Sequence, residues 1–185
     1  MKKLIFSSAI ILSLGLAACG DTEETSNKEE TPSEESVPVE KVEIDMTYAN
    51  DSSIPLGDRI KKVATDLFGD TTVQKTDRNI TIENMGELYY LKMMIDDGVT
   101  KDNTLSYAQK NTVALLEVLQ GVDDFQQINI NWQGNFKDNS GNSNVGSALT
   151  VMVKKENIEN VNFEEFDASK LKEITVNYGV HNDFK

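Results

Sequence analysis

The sequence predicts an α+β fold: an antiparallel sheet of about four strands with helices on one face, in the order α-β-β-α-β-β-α. Three observations support it. Three stretches place apolar residues at helical spacing. Four others alternate or concentrate apolar residues as strands do. The strand-like stretches come in pairs joined by turn residues, and a helix separates the pairs.

The first helix is read from Ile60, Val63, Ala64, Leu67 and Phe68, spaced i, i+3, i+4, i+7, i+8. Pro55 stands near its start and Gly69 at its end. Thr71 to Glu83 reads as a strand, with Val73 early and Ile80 and Ile82 in alternation. Asn84-Met85-Gly86 is a turn. Leu88 to Ile95 is read as a second strand because it follows that turn. Helix is the alternative, since periodicity does not arbitrate a short apolar run. Asp96-Asp97-Gly98 ends the element, and Thr100, Asp102 and Thr104 offer N-caps to the next helix. Leu105, Ala108, Thr112, Leu115, Leu116 and Leu119 form its stripe, closed by Gly121.

Ile128, Ile130, Trp132 and Phe136 then alternate with Asn129, Asn131 and Gln133, the pattern of a half-buried strand whose amide face looks toward solvent. Val145, Ser147, Leu149, Val151 and Val153 make the partner strand across a long loop. Ile158 to Phe166 is a connection anchored by Val161, Phe163 and Phe166. Ser169 is the expected cap of a final helix, with Leu171, Ile174 and Tyr178 facing inward and Gly179 at its end.

The N-terminus has a different grammar. Met1, Lys2 and Lys3 are followed by an apolar run from Leu4 to Leu14, then by Ala17, Ala18 and Cys19. That is a secretory signal, too short for a permanent span. Leu16-Ala17-Ala18-Cys19 resembles the lipobox of bacterial lipoproteins. The resemblance implies a diacylglyceryl group on the Cys19 thiol and cleavage before it, with residues 1–18 removed. Two acyl chains anchor stably, at about 0.8 kcal/mol per buried methylene.

From Asp21 to about Val42 the chain is rich in Glu, Ser, Thr and Asn and nearly free of apolar residues until Val37. Such a segment is expected to be an extended, disordered tether, spanning up to about 65 Å at roughly 3.3 Å per residue. Residues 19–49 are therefore assigned to anchor and tether, and residues 50–185 to one globular domain. Gly20 in place of Asp gives no inner-membrane retention signal. The Lys-, Asn- and Glu-rich chemistry resembles low-GC Gram-positive bacteria. The expected location is the extracellular face of the cell membrane, held by lipid.

The layout from about 54 to 184 is similar to a group of small Firmicutes lipoproteins of unassigned function. The matching parts are Phe68-Gly69 ending the early helix and Trp132-x-Gly134-x-Phe136-Lys137-Asp138 leading to Gly141-Asn142. Asn160-Val161-Asn162-Phe163, with Leu171 and Tyr178, completes them. The resemblance implies a fold and transfers no site residue.

Net charge is −13, and loss of Lys2 and Lys3 with the signal takes it to −15. A polyanion repels phosphate backbones and anionic headgroups, so nucleic-acid and peripheral lipid binding are not expected. The single cysteine excludes an internal disulfide. His181 is the only histidine and is read as a surface residue beyond the last helix. One histidine and a lipidated cysteine exclude a His/Cys zinc site. No phosphate loop or dinucleotide fingerprint is present.

The adjacent acids Asp96-Asp97, Asp123-Asp124 and Glu164-Glu165 fall at predicted element ends, where solvated carboxylates are ordinary. They leave open a paired-acid hydrolase. Asp138-Asn139-Ser140-Gly141-Asn142-Ser143-Asn144 alternates oxygen side chains that a calcium ion takes. Its glycine is fourth rather than sixth and no Glu closes it, so the turn reading is favoured. Trp132, Tyr89, Tyr90 and Tyr107 offer rings for stacking on sugar or peptide, with Trp132 read as core.

The function expected from all this is a non-enzymatic binding or interaction module of the cell envelope. A protein or wall polymer is its partner, and no cofactor, metal or catalytic residue is assigned. A small envelope hydrolase using paired carboxylates is the alternative.

Overall fold

A computed structural model describes residues 42–98, 100–137 and 140–184. Residues 1–41, with the expected anchor Cys19 and most of the expected tether, lie outside them. The described helices are α1 (Met46–Ala49), α2 (Leu56–Phe68), α3 (Lys101–Gln120) and α4 (Lys155–Ile158). The strands are β1 (Thr81–Met85), β2 (Leu88–Met94), β3 (Gln127–Lys137), β4 (Ser143–Lys154) and β5 (Asn177–Val180). They form one sheet in sequential order, β1 to β5. The fold is α+β, with five described strands where the pattern predicts about four.

α2 forms where apolar residues recur at helical spacing, buries Ile60, Val63 and Ala64, and stops at Gly69, whose φ of 72° few other residues accept. The Thr100 hydroxyl caps α3, accepting from the Asn103 N–H at 3.2 Å. At the other end of α3 the Lys155 ammonium donates to the carbonyls of Gln120 and Val122 at 2.6 and 2.7 Å, a cation where the helix dipole is negative.

Both long helices cover the same side of the sheet. Phe68 of α2 meets the Trp132 ring edge-on at 5.3 Å. The Trp132 indole N–H donates to the Thr112 hydroxyl of α3 at 2.8 Å. The core lies between, where Leu91, Met93, Ile128, Ile130, Trp132, Leu149 and Val151 are fully buried against Ile60, Leu115, Leu116 and Leu119. Each such aliphatic side chain contributes about 1.5–3 kcal/mol by leaving water.

Five features depart from the sequence expectation, each for a physical reason. Thr71 to Asn79 is not strand. Thr72 N–H bonds the Thr76 carbonyl at 2.8 Å, and Lys75 and Asn79 take φ of 60° and 50°. The buried Arg78 guanidinium ties this turn to the carbonyls of Thr71 and Met94 and to Asp96. Only Val73 is apolar there, and it is exposed. The Ile80/Ile82 alternation is what becomes β1.

The sheet is not wholly antiparallel. β2 and β3 pair in parallel, Leu88 opposite Gln127 through Met94 opposite Gln133. The 20-residue α3 lies between them and carries the chain back to start β3 at the same end as β2.

The predicted final helix divides in two. Ala168–Ile174 is a 3₁₀ helix capped by Asp167, not Ser169, and Asn177–Val180 is strand β5. Leu171 and Ile174 suit the three-residue turn. Val176 then bonds the Met152 carbonyl at 2.8 Å, and Tyr178 and Val180 alternate along the edge of the sheet.

Val145 and Ser147 do not share a face with Leu149, Val151 and Val153. A bulge pairs Trp132 with Leu149 but Gln133 with Ser147, so Ala148 is the extra residue and the side-chain alternation reverses.

Packing also begins ahead of residue 50. Ile44 packs on the core and Ala49 is fully buried. The Ala49 carbonyl accepts from Arg59 at 2.8 Å, and Asp45 caps α1.

Candidate binding face

The side of the sheet opposite the helices is built largely from polar side chains that the core does not use. Along β3, odd positions point away from the core: Gln127, Asn129, Asn131, Gln133 and Asn135. Five amides therefore follow one another along the central strand. At about 3.3 Å per residue the row is about 26 Å long.

The register supplies its flanks. On β2, Leu88, Tyr90, Lys92 and Met94 stand opposite Gln127, Asn129, Asn131 and Gln133. On β4, Met152 and Thr150 stand opposite Asn129 and Asn131, and the bulge brings Ser147 and Val145 opposite Gln133 and Asn135. Without that extra residue the glycine and alanine of this segment would have faced outward instead. Glu83 lies beyond Tyr90, and Asn177 beyond Met152.

Asn129, held between Tyr90 and Met152, is only 7% exposed. The Asn131 amide donates to the Ser147 and Thr150 hydroxyls at 2.9 and 3.1 Å, and these hydroxyls share a further bond of 2.7 Å. The buried Asn131 Oδ1 has no partner among the described residues. No hydrogen bond among the described residues engages the side chains of Gln127, Asn129, Gln133 or Asn135. Lys92 beside the middle of the row pairs with Glu83 at 2.9 Å, Lys154 beside its start pairs with Glu156 at 3.3 Å, and Lys137 continues the same face past Asn135.

The other candidates are dispersed. Asp96 and Asp124 each pair with a buried arginine, Arg78 at 2.8 Å and Arg59 respectively. Arg59 also donates to the carbonyls of Ile54 and Ala49 at 3.0 and 2.8 Å. The hydrogen bond from Arg59 holds the Asp124 carboxyl below its ordinary 3.8. Asp124 joins the loop after α3 to α2, and Asp96, just past β2, holds the turn before β1. Asp97, Asp123, Glu164 and Glu165 are exposed.

His181 follows β5 rather than a helix. Its ring stacks on Phe136 at 3.8 Å, and its Nδ1 accepts from the Asp183 N–H at 3.2 Å. Tyr89 turns toward the core, its hydroxyl accepting from Asn84 at 2.9 Å, while Tyr107 is exposed on α3. Trp132 is core, so of the four rings only Tyr90 joins the amide face. Asp138 and Asn139 of the oxygen-rich loop lie outside the described residues, and no group of three metal-ligating His, Cys, Asp or Glu side chains occurs among the described ones. Cavities of about 290 and 280 Å³ flank α3, one beside Phe166 and Asp167 and one beside Phe136 and Phe184. No helix among the described residues is long and apolar enough to cross a membrane.

Gln127 and Asn135 extend a row of which sequence reasoning singled out only the middle three. The signal was present as an unbroken polar-amide alternation over nine residues. Arg59 was also missed, although it interrupts the apolar stripe of α2 between Leu56 and Ile60. Comparison with known protein families, with curated proteins and with solved structures finds no match.

Proposed function

We propose that the protein is a lipid-anchored module on the outer face of the cell membrane that binds an envelope partner through the open face of its sheet. The observation that supports this most is the amide row. Five side chains able both to donate and to accept stand side by side, and four of them have no bonding task within the described fold. An uncovered polar sheet face is tolerated in an antiparallel-type sheet, but an unbroken row of amides exceeds what solubility needs. The address rests on the Leu16-Ala17-Ala18-Cys19 motif.

Two measurements test the reading. Fatty-acid labelling should mark the wild-type chain and not Cys19→Ala; label on the variant contradicts the anchor. A photo-reactive side chain at Gln133 should yield adducts in the native envelope, and one at Lys110 on α3 should not. Adducts from position 110 alone, or turnover of an envelope substrate by the isolated protein, would remove the binding-module reading.

A further inference from the structure

We infer that the occupant of the amide row is a neutral glycan chain lying along β3. The inference rests on the binding-module reading and names its ligand class. Four properties of the face select this chemistry.

The first is charge. Residues 42–185 contain 23 acidic and 14 basic side chains, yet the five amides are uncharged, Lys92 and Lys154 beside them are paired, and Lys137 follows Asn135 at the far end of the row. An anionic polymer would meet the single cation Lys137 at one end of the row and would be repelled by the surrounding acidic surface. A cationic one would find its carboxylates elsewhere on the molecule.

The second is area. The sheet is about 20 Å wide at its five-stranded rows, with strands about 4.8 Å apart. The amide row itself is a strip about 26 Å long and one strand wide within that sheet. A stable protein partner covers about 800 Å² on each side. A narrow, linear occupant fits.

The third is hydrogen-bonding character. Sugar hydroxyls donate and accept, and carboxamides answer both roles from one planar group. The Ser147 and Thr150 hydroxyls beside Asn131 extend the same dual capacity.

The fourth is the apolar flank. Tyr90, Met94 and Met152 line the row half-buried, giving C–H faces of a sugar a surface to rest on while the amides take its edges. Polar groups placed against apolar walls are the general pattern of small-ligand recognition.

The experiment uses the full chain in detergent micelles, titrated calorimetrically with the neutral hexaoses of glucose and of N-acetylglucosamine. Poly(glycerol phosphate) and a neutral ten-residue peptide are run alongside. At least one hexaose should bind saturably, with a Kd unchanged between low and high salt, because screening acts on charges. The double variant Asn129→Thr/Gln133→Thr should weaken it at least about tenfold, while Lys110→Ala leaves it unchanged. The glycan assignment is overturned if neither hexaose binds, if binding follows salt, or if the double variant binds normally. Preference for the peptide would also overturn it, while leaving the binding-module reading intact. Adducts at Gln133 in the envelope without hexaose binding separate the two failures in the same way.

Discussion

One strand serves two regions that differ in almost every physical respect. The even positions of β3, Ile128, Ile130 and Trp132, are fully buried under α2 and α3. Its odd positions, Gln127 to Asn135, are amides on the uncovered side. On the covered side every polar group of Trp132 and Thr112 is bonded. On the open side four amides have no protein partner among the described residues. The difference teaches that period-two alternation lets one segment separate stability from recognition: neighbours one rise of about 3.3 Å apart point to opposite faces and are coupled by backbone and not by side-chain contact.

The comparison is broken most severely from the covered side. Trp132→Ala should cost about 3–5 kcal/mol, from the cavity and lost ring contacts with Phe68, read as a lower urea midpoint. A loss under 1 kcal/mol would show that the helix layer is not what holds the sheet. Arg59→Ala should cost about 3 kcal/mol, because the carbonyls of Ala49 and Ile54 lose their donor and Asp124 its partner. The loss should be accompanied by easier hydrogen exchange in α1 and its following loop.

A smaller effect sharpens the same side. The Asp124 carboxyl is lowered below 3.8 by its bond from Arg59. A carboxyl lowered in the fold adds stability above its unfolded value, and that contribution disappears as pH falls through the lowered one. Wild type should therefore exceed Asp124→Asn at pH 6, and the gap should close below pH 3.8. With the Asp124 side chain half exposed, the gap is at most about 1 kcal/mol after solvent screening. A gap that widens with acid would contradict the assignment of the pair.

The legibility of these regions in the sequence follows from the range of the forces. α2, the β1–β2 and β3–β4 pairings and the core role of Trp132 could be read because periodicity and turn residues are local. The parallel β2–β3 contact could not, because strand direction is set by where α3 packs. β5 was mistaken for the end of a helix because Leu171, Ile174 and Tyr178 mimic helical spacing, while the Val176-Tyr178-Val180 alternation is only three residues deep. The β4 bulge left no mark except small residues at Gly146 and Ala148. Of the candidate face, the middle amides were legible as solvent-facing. Their flanks Tyr90, Ser147 and Met152 come from other strands and needed the register.

The most direct measurement of the central claim is the unfolding free energy of Asn129→Thr/Gln133→Thr beside wild type. Threonine suits a strand, and the two amides have no fold-holding bonds to lose. The account predicts a change within about 0.5 kcal/mol, with photo-adduct formation from a probe at position 131 in the native envelope reduced. A loss of 2 kcal/mol or more with adducts undiminished would show that the amides hold the sheet together, and that its open face is not kept for a partner.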